Sequence, residues 1–577
     1  MTTATTTTTL DSPFSHLLSS NYAASDSDVP CVKAIINSSS NTLRRLNSEI
    51  RELEQKRDSV QTCIDVHRAL LSPSRRLPVE ILSEIFAHCL PRDRNPNCSQ
   101  SEAPILLGRV CRTWRHVSLS TPSLWASIHI VIPILASRSV LRSVIDARRE
   151  GVETWLGRSG SLPLSVSVFS EWSSTPLTYG SPDNFPERIR LLLDCIFQRS
   201  NRWHTVQFHL NNDCTSILSE CWPWGGTKEL PLLHTFKMGL SVDAWGSFPN
   251  FKSEWLAKAP RLQRLSLRDG DFEWFLTGQS SWAQITHLEL QVPNVRLSSI
   301  IKGLRQCSHL QSLTVHGLCV REDTLPDSIQ TISLPSLRSL SIAGRIGLTD
   351  YTNPVDVRNI FAYLDAPALR CLRANINREG RFECIPFIGL LGPGNQIEEL
   401  DISFQEDLLD DILSLLPNLS IARIRPRWLD NTLLHRLTSS PGPDEPLCPS
   451  LTQLYLLGKN TTINDEHLLL DLARSRWNSG ILSSSHTTAR HGGIARLDVF
   501  HVLLNQYEQI PSLRDQLQEL RNQGMDIIFA YREEESMDPS SGQVADEDNI
   551  DPYITHSRYS DQISNGMIRK HSWWLWD

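Results

Sequence analysis

The chain has 577 residues, of which 40% are hydrophobic and 21% charged, and a formal charge of −8. That length calls for several domains or one repeat array, and the mild acidity argues against nucleic acid or an anionic membrane as the main partner. Thirteen cysteines, an odd number with no Cys-x-x-Cys pair, resemble neither a disulfide framework nor a zinc site. Reduced thiols are therefore expected, in a cytoplasmic or nuclear chain or one found in both places. Residues 1–10 lack the basic start and apolar core of a secretory signal, and no run approaches the roughly 18–20 apolar residues of a membrane span.

Residues 1–40 are rich in Thr, Ser and Asn and poor in large apolar groups, so they are expected to be disordered. From Leu43 the texture changes. Leu43, Leu46, Ile50, Leu53, Val60, Ile64 and Leu71 keep an alternating three-four spacing, with Arg57 and His67 at the remaining seam positions. Charged residues (Arg51, Glu52, Glu54, Lys56, Asp58) fill the positions between. This predicts a heptad helix over 41–72, stopped by Pro73. Two roles fit it: a dimerising coiled coil through 43–71, or one amphipathic helix lying on the next domain.

A small all-α module is predicted over 73–130. Pro78 stands at a helix first turn, where its missing N–H costs nothing. Ile81, Leu82, Ile85 and Phe86 then make one apolar face before Pro91. A polar stretch, 92–102, leads to a second predicted helix over 105–115, on which Leu107, Val110, Cys111 and Trp114 recur with the helical period. On that apolar face Cys111 reads as a packing residue. Pro122-Ser-Leu-Trp125 closes the module, with Trp125 placed to pack beneath both helices.

The run Leu77-Pro78-x-Glu80-Ile81-Leu82, then Val110-Cys111-Arg112-x-Trp114-Arg115, then Pro122-x-Leu124-Trp125, resembles an F-box. Together with the heptad helix and the Arg75-Arg76-Leu77-Pro78 lead-in, it resembles the F-box proteins abundant in mushroom-forming fungi. The resemblance covers about 50 residues, or about 85 with the helix. It implies docking rather than chemistry: F-boxes are three-helix modules that bind the Skp-type adaptor of cullin–RING ubiquitin ligases. By position, Leu77, Pro78, Ile81 and Leu82, with Ile85 on the same helix, match residues presented to that adaptor. Val110, Cys111, Trp114 and Trp125 match residues joining the adaptor face to the module's own core. The polar insert 92–102 departs from the family's tight turn. A helical cap on a repeat array is the competing role.

From about residue 160 the phrase Leu-x-x-Leu-x-Leu keeps returning. Clear copies are Leu262/Leu265/Leu267, Ile285/Leu288/Leu290, Leu310/Leu313/Val315, Leu337/Leu340/Ile342, Leu369/Leu372/Ala374, Ile397/Leu400/Ile402, Leu451/Leu454/Leu456 and Ile494/Leu497/Val499. Weaker ones are Trp203/Val206/Phe208, Leu233/Phe236/Met238 and Leu419/Ala422/Ile424. Helical periods over 187–199, 299–307, 356–364, 406–416 and 465–477 separate the copies. One strand plus one helix per unit, at leucine-rich-repeat spacing, predicts an irregular solenoid over 131–532 and an α/β chain overall. A closed α/β barrel also alternates strand and helix, but its strands are apolar on both faces. Here the alternates are polar, as in Arg264, Ser266 and Arg268.

Those polar alternates are expected on the concave face, where such arrays hold partners. Arg423, Arg425 and Arg427, with Tyr455 and Phe500, form the candidate patch for an unknown protein substrate. The acidic stretch 533–577 reads as a disordered tail that ends in Trp573, Trp574 and Trp576. No nucleophile elbow, phosphate loop or metalloprotease motif occurs. His486 and His491 lack acidic or thiol partners. A non-enzyme without a cofactor is expected.

Overall fold

The computed structural model describes residues 12–531 apart from 133–137, 171–184, 212–213, 216, 219–228, 242–255, 257–258, 269–281, 292–294, 317–319, 322–330, 346–362, 378–386, 393, 404–407, 426–430, 439–446, 458–466, 483–493 and 505–510. The chain divides into two compact units, residues 1–84 and 85–577.

The first unit is dominated by α1, Val29–Leu70. It starts within the stretch expected to be without structure. The reason is visible once the helix is known: Val29, Val32, Ile36 and Ser39 extend the three-four seam backwards from Leu43. Pro73 opens a short 3₁₀ turn, Pro73–Arg76, that ends the helix. From Leu43 to Ile64 the apolar seam side chains lie open to solvent, Leu53 with 64% of its surface exposed. Helix α2, Val79–His88, follows Pro78 and runs into the second unit.

In the second unit the helix predicted over 105–115 is two helices, α3 (Leu107–Val110) and α4 (Arg112–Ser120). Cys111 breaks them with an extended backbone (φ −157°, ψ 172°), and its thiol accepts from the Trp114 N–H at 3.4 Å, capping α4. Cys111 is exposed rather than a packing residue.

Among the described residues the repeats form one sheet of fourteen strands, each parallel to its neighbour and in chain order. They are β1 Ser127–Ile132, β2 Leu164–Ser170, β3 Trp203–Asn211, β4 Thr235–Ser241, β5 Arg264–Arg268, β6 His287–Gln291 and β7 Ser312–His316. The sheet continues as β8 Ser339–Arg345, β9 Cys371–Asn377, β10 Glu399–Ser403, β11 Ile421–Ile424, β12 Gln453–Leu456, β13 Val499–Leu504 and β14 Asp526–Tyr531. Crossover helices are α5 Arg138–Arg158, α6 Phe185–Phe197, α7 Leu297–Arg305, α8 Leu409–Ser414, α9 Asn431–Leu437, α10 His467–Leu482 and α11 Pro511–Asn522. The helix predicted over 356–364 lies outside the described residues except at its end, where Leu364–Asp365 pairs with Ile332–Ser333. The array starts earlier than the repeat phrase indicated, because β1 follows Trp125 directly.

Register places one apolar side chain per strand in a continuous file. It runs Ile128, Val166, Val206, Phe236, Leu265, Leu288, Leu313, Leu340, Leu372, Leu400, Ala422, Leu454, Phe500, Ile527. None of the fourteen is more than 1% exposed. The last described copies of the phrase are therefore Leu451/Leu454/Leu456 and Leu497/Phe500/Val502, three residues on from the pattern read at Ile494. This corrects Phe500: it is a core residue, edge-on to Phe529 with ring centroids 5.8 Å apart, and not part of a partner-facing patch.

A buried cation closes the C-terminal part of this core. Arg476 of α10 is fully buried and donates to three carbonyls: Nε to Leu437 (2.6 Å), Nη1 to Cys448 (3.1 Å) and Nη2 to Leu447 (2.5 Å). Burial pushes its pKa down to about 10, still charged at neutral pH. Removing it strands those carbonyls, each at about 1–3 kcal/mol. Arg476→Met is expected to lower the urea midpoint of unfolding by an amount equivalent to about 2–4 kcal/mol, less than the three carbonyls together, because the variant no longer buries a charge. An unchanged midpoint would show that the carbonyls find other donors.

Candidate functional site

Two regions collect the residues singled out from sequence. The first is the helical module. On α2, Leu82 and Phe86 are buried one helical turn apart, while Ile81 and Ile85, also one turn apart, keep 49% and 40% of their surface exposed. Val79 is exposed as well, Pro78 is exposed and Leu77 is half-buried. The helix thus keeps an unburied apolar stripe beside its packed one.

Within the second unit, Phe86 stacks at a tilt on Trp114 (4.9 Å) above a core of Leu107, Val117, Leu124 and Trp125. Trp125 donates its indole N–H to the Ser118 carbonyl at 2.7 Å and meets Trp155 of α5 edge-on at 4.8 Å, with Arg158 4.5 Å from its ring centre. It therefore joins the module to the first repeat helix. Val110 is 57% exposed on α3 and Trp114 is half-buried. Phe86, absent from the candidate docking residues, is the centre of the packing. Its apolar spacing on α2 was the available signal.

The insert 92–102 is an ordered part of the array. Arg94 pairs with Glu102 (Nη1 to Oε1, 3.0 Å), and Glu102 also accepts the Asn97 N–H at 2.9 Å. The Pro96 carbonyl accepts the His129 N–H at 2.7 Å, adding the insert to the sheet beside β1. Asn95 donates to Ser167 Oγ (3.1 Å) and accepts from Ser165 Oγ (3.0 Å). These contacts lie on the polar face of β1 and β2.

The second region is that polar face. Between the buried file that starts at Ile128 and a second one two residues on in each strand, beginning Ile130, Val168, Phe208, runs a polar file: His129, Ser167, Gln207, Lys237, Ser266, Glu289, and onward through Asp401, Arg423 and Tyr455. Its first six members are themselves buried, which polar alternation alone did not foretell. His129 bonds Ser167 Oγ at 2.9 Å, and burial, reinforced by Arg94 and Arg148, pushes its pKa down to about 4. Ser266 donates to Glu289 at 2.9 Å, and Arg268 also pairs with Glu289. Burial pushes the Lys237 ammonium down to about 8, against the opposing pull of Glu289. Beside Lys237 the insert and β1–β5 line a partly open cavity of about 380 Å³.

Farther along, the arginines are paired. Glu399 meets both Arg373 (3.1 Å) and Arg423, and Arg425 meets Asp401. Burial acts to raise the Glu399 pKa, but Arg373 and Arg423 together hold it below the ordinary carboxylate range. Arg423 also lies 5.1 Å from the Tyr455 ring centre. The predicted basic patch is therefore an ion-paired lattice at Arg423 and Arg425, in which three arginines share two carboxylates, and Arg427 lies outside the described residues. His486, His491 and the tail 533–577 lie outside them too. Among the described residues no group of three His, Cys, Asp or Glu could hold a metal, and no helix is long and apolar enough to cross a membrane.

Residues 74–131 match a protein-family model described as F-box-like. The chain therefore combines an F-box-like domain with a parallel-strand array of leucine-rich-repeat type. No curated protein matches it. Among solved structures, the chain is similar to a crystal structure of an internalin from Listeria monocytogenes, with 13% identity and a TM-score of 0.29, over 73% of this chain and 91% of that one.

The buried His129 sets a pH dependence. Its unfolded-state pKa is near 6.5 and its folded value about 4, so the unfolded state binds the extra proton between them. Stability is then unaffected by this group above about pH 6.5 and falls as pH drops towards 4, by up to about 2–3 kcal/mol. Melting temperatures across pH 4–7 should fall more steeply with acid in the wild type than in His129→Gln. Parallel curves would contradict the assignment.

Proposed function

We propose that the chain is a substrate-recognition adaptor of a cullin–RING ubiquitin ligase of the SCF type. The F-box-like domain docks the Skp-type adaptor and the repeats hold a protein substrate. The chain itself has no turnover and needs no cofactor, and it works in the cytoplasm, the nucleus or both. The observation that carries this reading is the apolar stripe of Ile81 and Ile85 left exposed on α2 of an F-box-like domain. Reactive thiols lend no support to an enzyme: burial pushes Cys195, Cys307 and Cys448 up to about 12. A second reading, a scaffold whose helical module only caps the array, is favoured by Trp125 packing on Trp155.

A pull-down of the Skp-type adaptor separates the two. Ile81→Asp places a charge on an exposed position, so folding should survive while binding falls at least about a hundredfold. The Leu77→Ala/Pro78→Ala double variant should also lose binding. A folded wild type that captures no adaptor leaves only the scaffold.

We further propose that α1 pairs with a second copy of itself, antiparallel. In a parallel pair Arg57 would face Arg57 and Glu49 would lie beside Glu54 of the other helix, like against like. An antiparallel pair that sets Ile50 against Leu53 places Glu49 beside Lys56 and Arg57 against Leu46. Sedimentation of the full chain should report a dimer, and Ile50→Asp/Leu53→Asp a monomer. A wild-type monomer would end this proposal, as would capture of a different helix on the seam.

A further inference from the structure

The cavity between the insert and the start of the sheet has a composition that none of the other readings uses. Its floor is a file of small hydroxyl side chains, Ser127, Ser165, Thr205 and Thr235, one on each of β1–β4. On β5 the same file places Arg264 instead, so a strip of short donors ends against a guanidinium. Arg92 and Arg94 of the insert line the cavity from the other side, and Lys237 lines it from the next file. The lining thus holds four cations and one carboxylate, Asp93, with Arg94 engaged by Glu102. Gln207, 6% exposed and also in the lining, buries its Nε2 donor with no partner among the described atoms.

Hydroxyl, amide, guanidinium and ammonium groups lining one cavity, four cations against one carboxylate, are complementary to an oxyanion, and a cationic ligand would meet like charge. The volume of about 380 Å³ exceeds what one anion fills and suits a side chain with flanking backbone. We infer that this cavity takes the oxyanion group, carboxylate or phosphoryl, of an acidic or phosphorylated side chain on a substrate peptide. The ordered insert is then the second wall of a recognition pocket, and its departure from the tight turn of other F-boxes has a use. The inference rests on the proposed role of the repeats in holding a substrate, but only for the carrier of the anion.

The test uses the full chain and leaves the Skp-type adaptor out, so its failure is separate from failure of the ligase reading. Inorganic phosphate is titrated calorimetrically into wild type, Arg92→Ala, Lys237→Met and, as control, Arg425→Gln. Arg92 is exposed, so its variant should fold even if Lys237→Met does not. Each cavity variant is expected to weaken binding about tenfold and the control to leave it unchanged. Degenerate peptide libraries centred on phosphoserine, glutamate or serine are then passed over the immobilised chain. Retention of the phosphoserine or glutamate library above the serine one, lost in Arg92→Ala, supports the proposal. Phosphate binding without retention of either library would overturn the peptide as carrier. No phosphate binding, or binding equal in all variants, would overturn the site.

Discussion

Parallel pairing in strict chain order constrains everything else in the repeat unit. Each strand must offer one apolar residue to a file that starts at Ile128 and ends at Ile527, because a slip of one residue would turn every side chain to the opposite face. A unit of one strand and one helix cannot bury that residue alone, so the file exists only when neighbours stack. The same register aligns the alternate residues into polar files. Interaction chemistry on this face is therefore organised across strands, from residues more than twenty apart in sequence.

That organisation explains why the two ends of the polar face differ. Near β10–β12 the files bring arginines beside acids, and Glu399 and Asp401 pair with Arg423 and Arg425 of what reads in sequence as a basic cluster. Near β1–β5 the files carry small hydroxyls, and the ordered insert covers them with further cations. Paired charges on an open sheet contribute little to stability. Donors lining a partly open cavity are a different matter, because several of them, Gln207 and Lys237 among them, are already withdrawn from water before any ligand arrives. The proposed anion site thus takes in residues of the F-box-like match and β1–β5, away from the arginines of β11 that sequence alone singled out.

Much of this was legible in the sequence, where local pattern and tertiary demand coincide. The leucine phrase marked its strands even at weak copies such as Leu419/Ala422/Ile424, since burial in a shared file requires apolar residues at those offsets. It slipped at β13 because Ile494/Leu497/Val499 and Leu497/Phe500/Val502 satisfy the same spacing, and only the pairing of Leu454 with Phe500 decides between them. The break at Cys111 was hidden, since its thiol cap depends on backbone conformation that apolar periodicity does not encode. The ordered insert was hidden for a different reason: Asn95, Pro96 and Glu102 find partners through contacts distant in sequence. The exposed half of α2 was visible only in outline, because one apolar face of four residues divides into a buried pair and an exposed pair.

The central claim is that this exposed apolar stripe is a docking surface, and its burial has a thermodynamic signature. Calorimetric titration of a purified Skp-type adaptor into the full chain at several temperatures would measure it. The account predicts saturable one-to-one binding with a clearly negative heat-capacity change, as apolar surface leaves water. Absence of binding, or binding whose enthalpy does not vary with temperature, would contradict it.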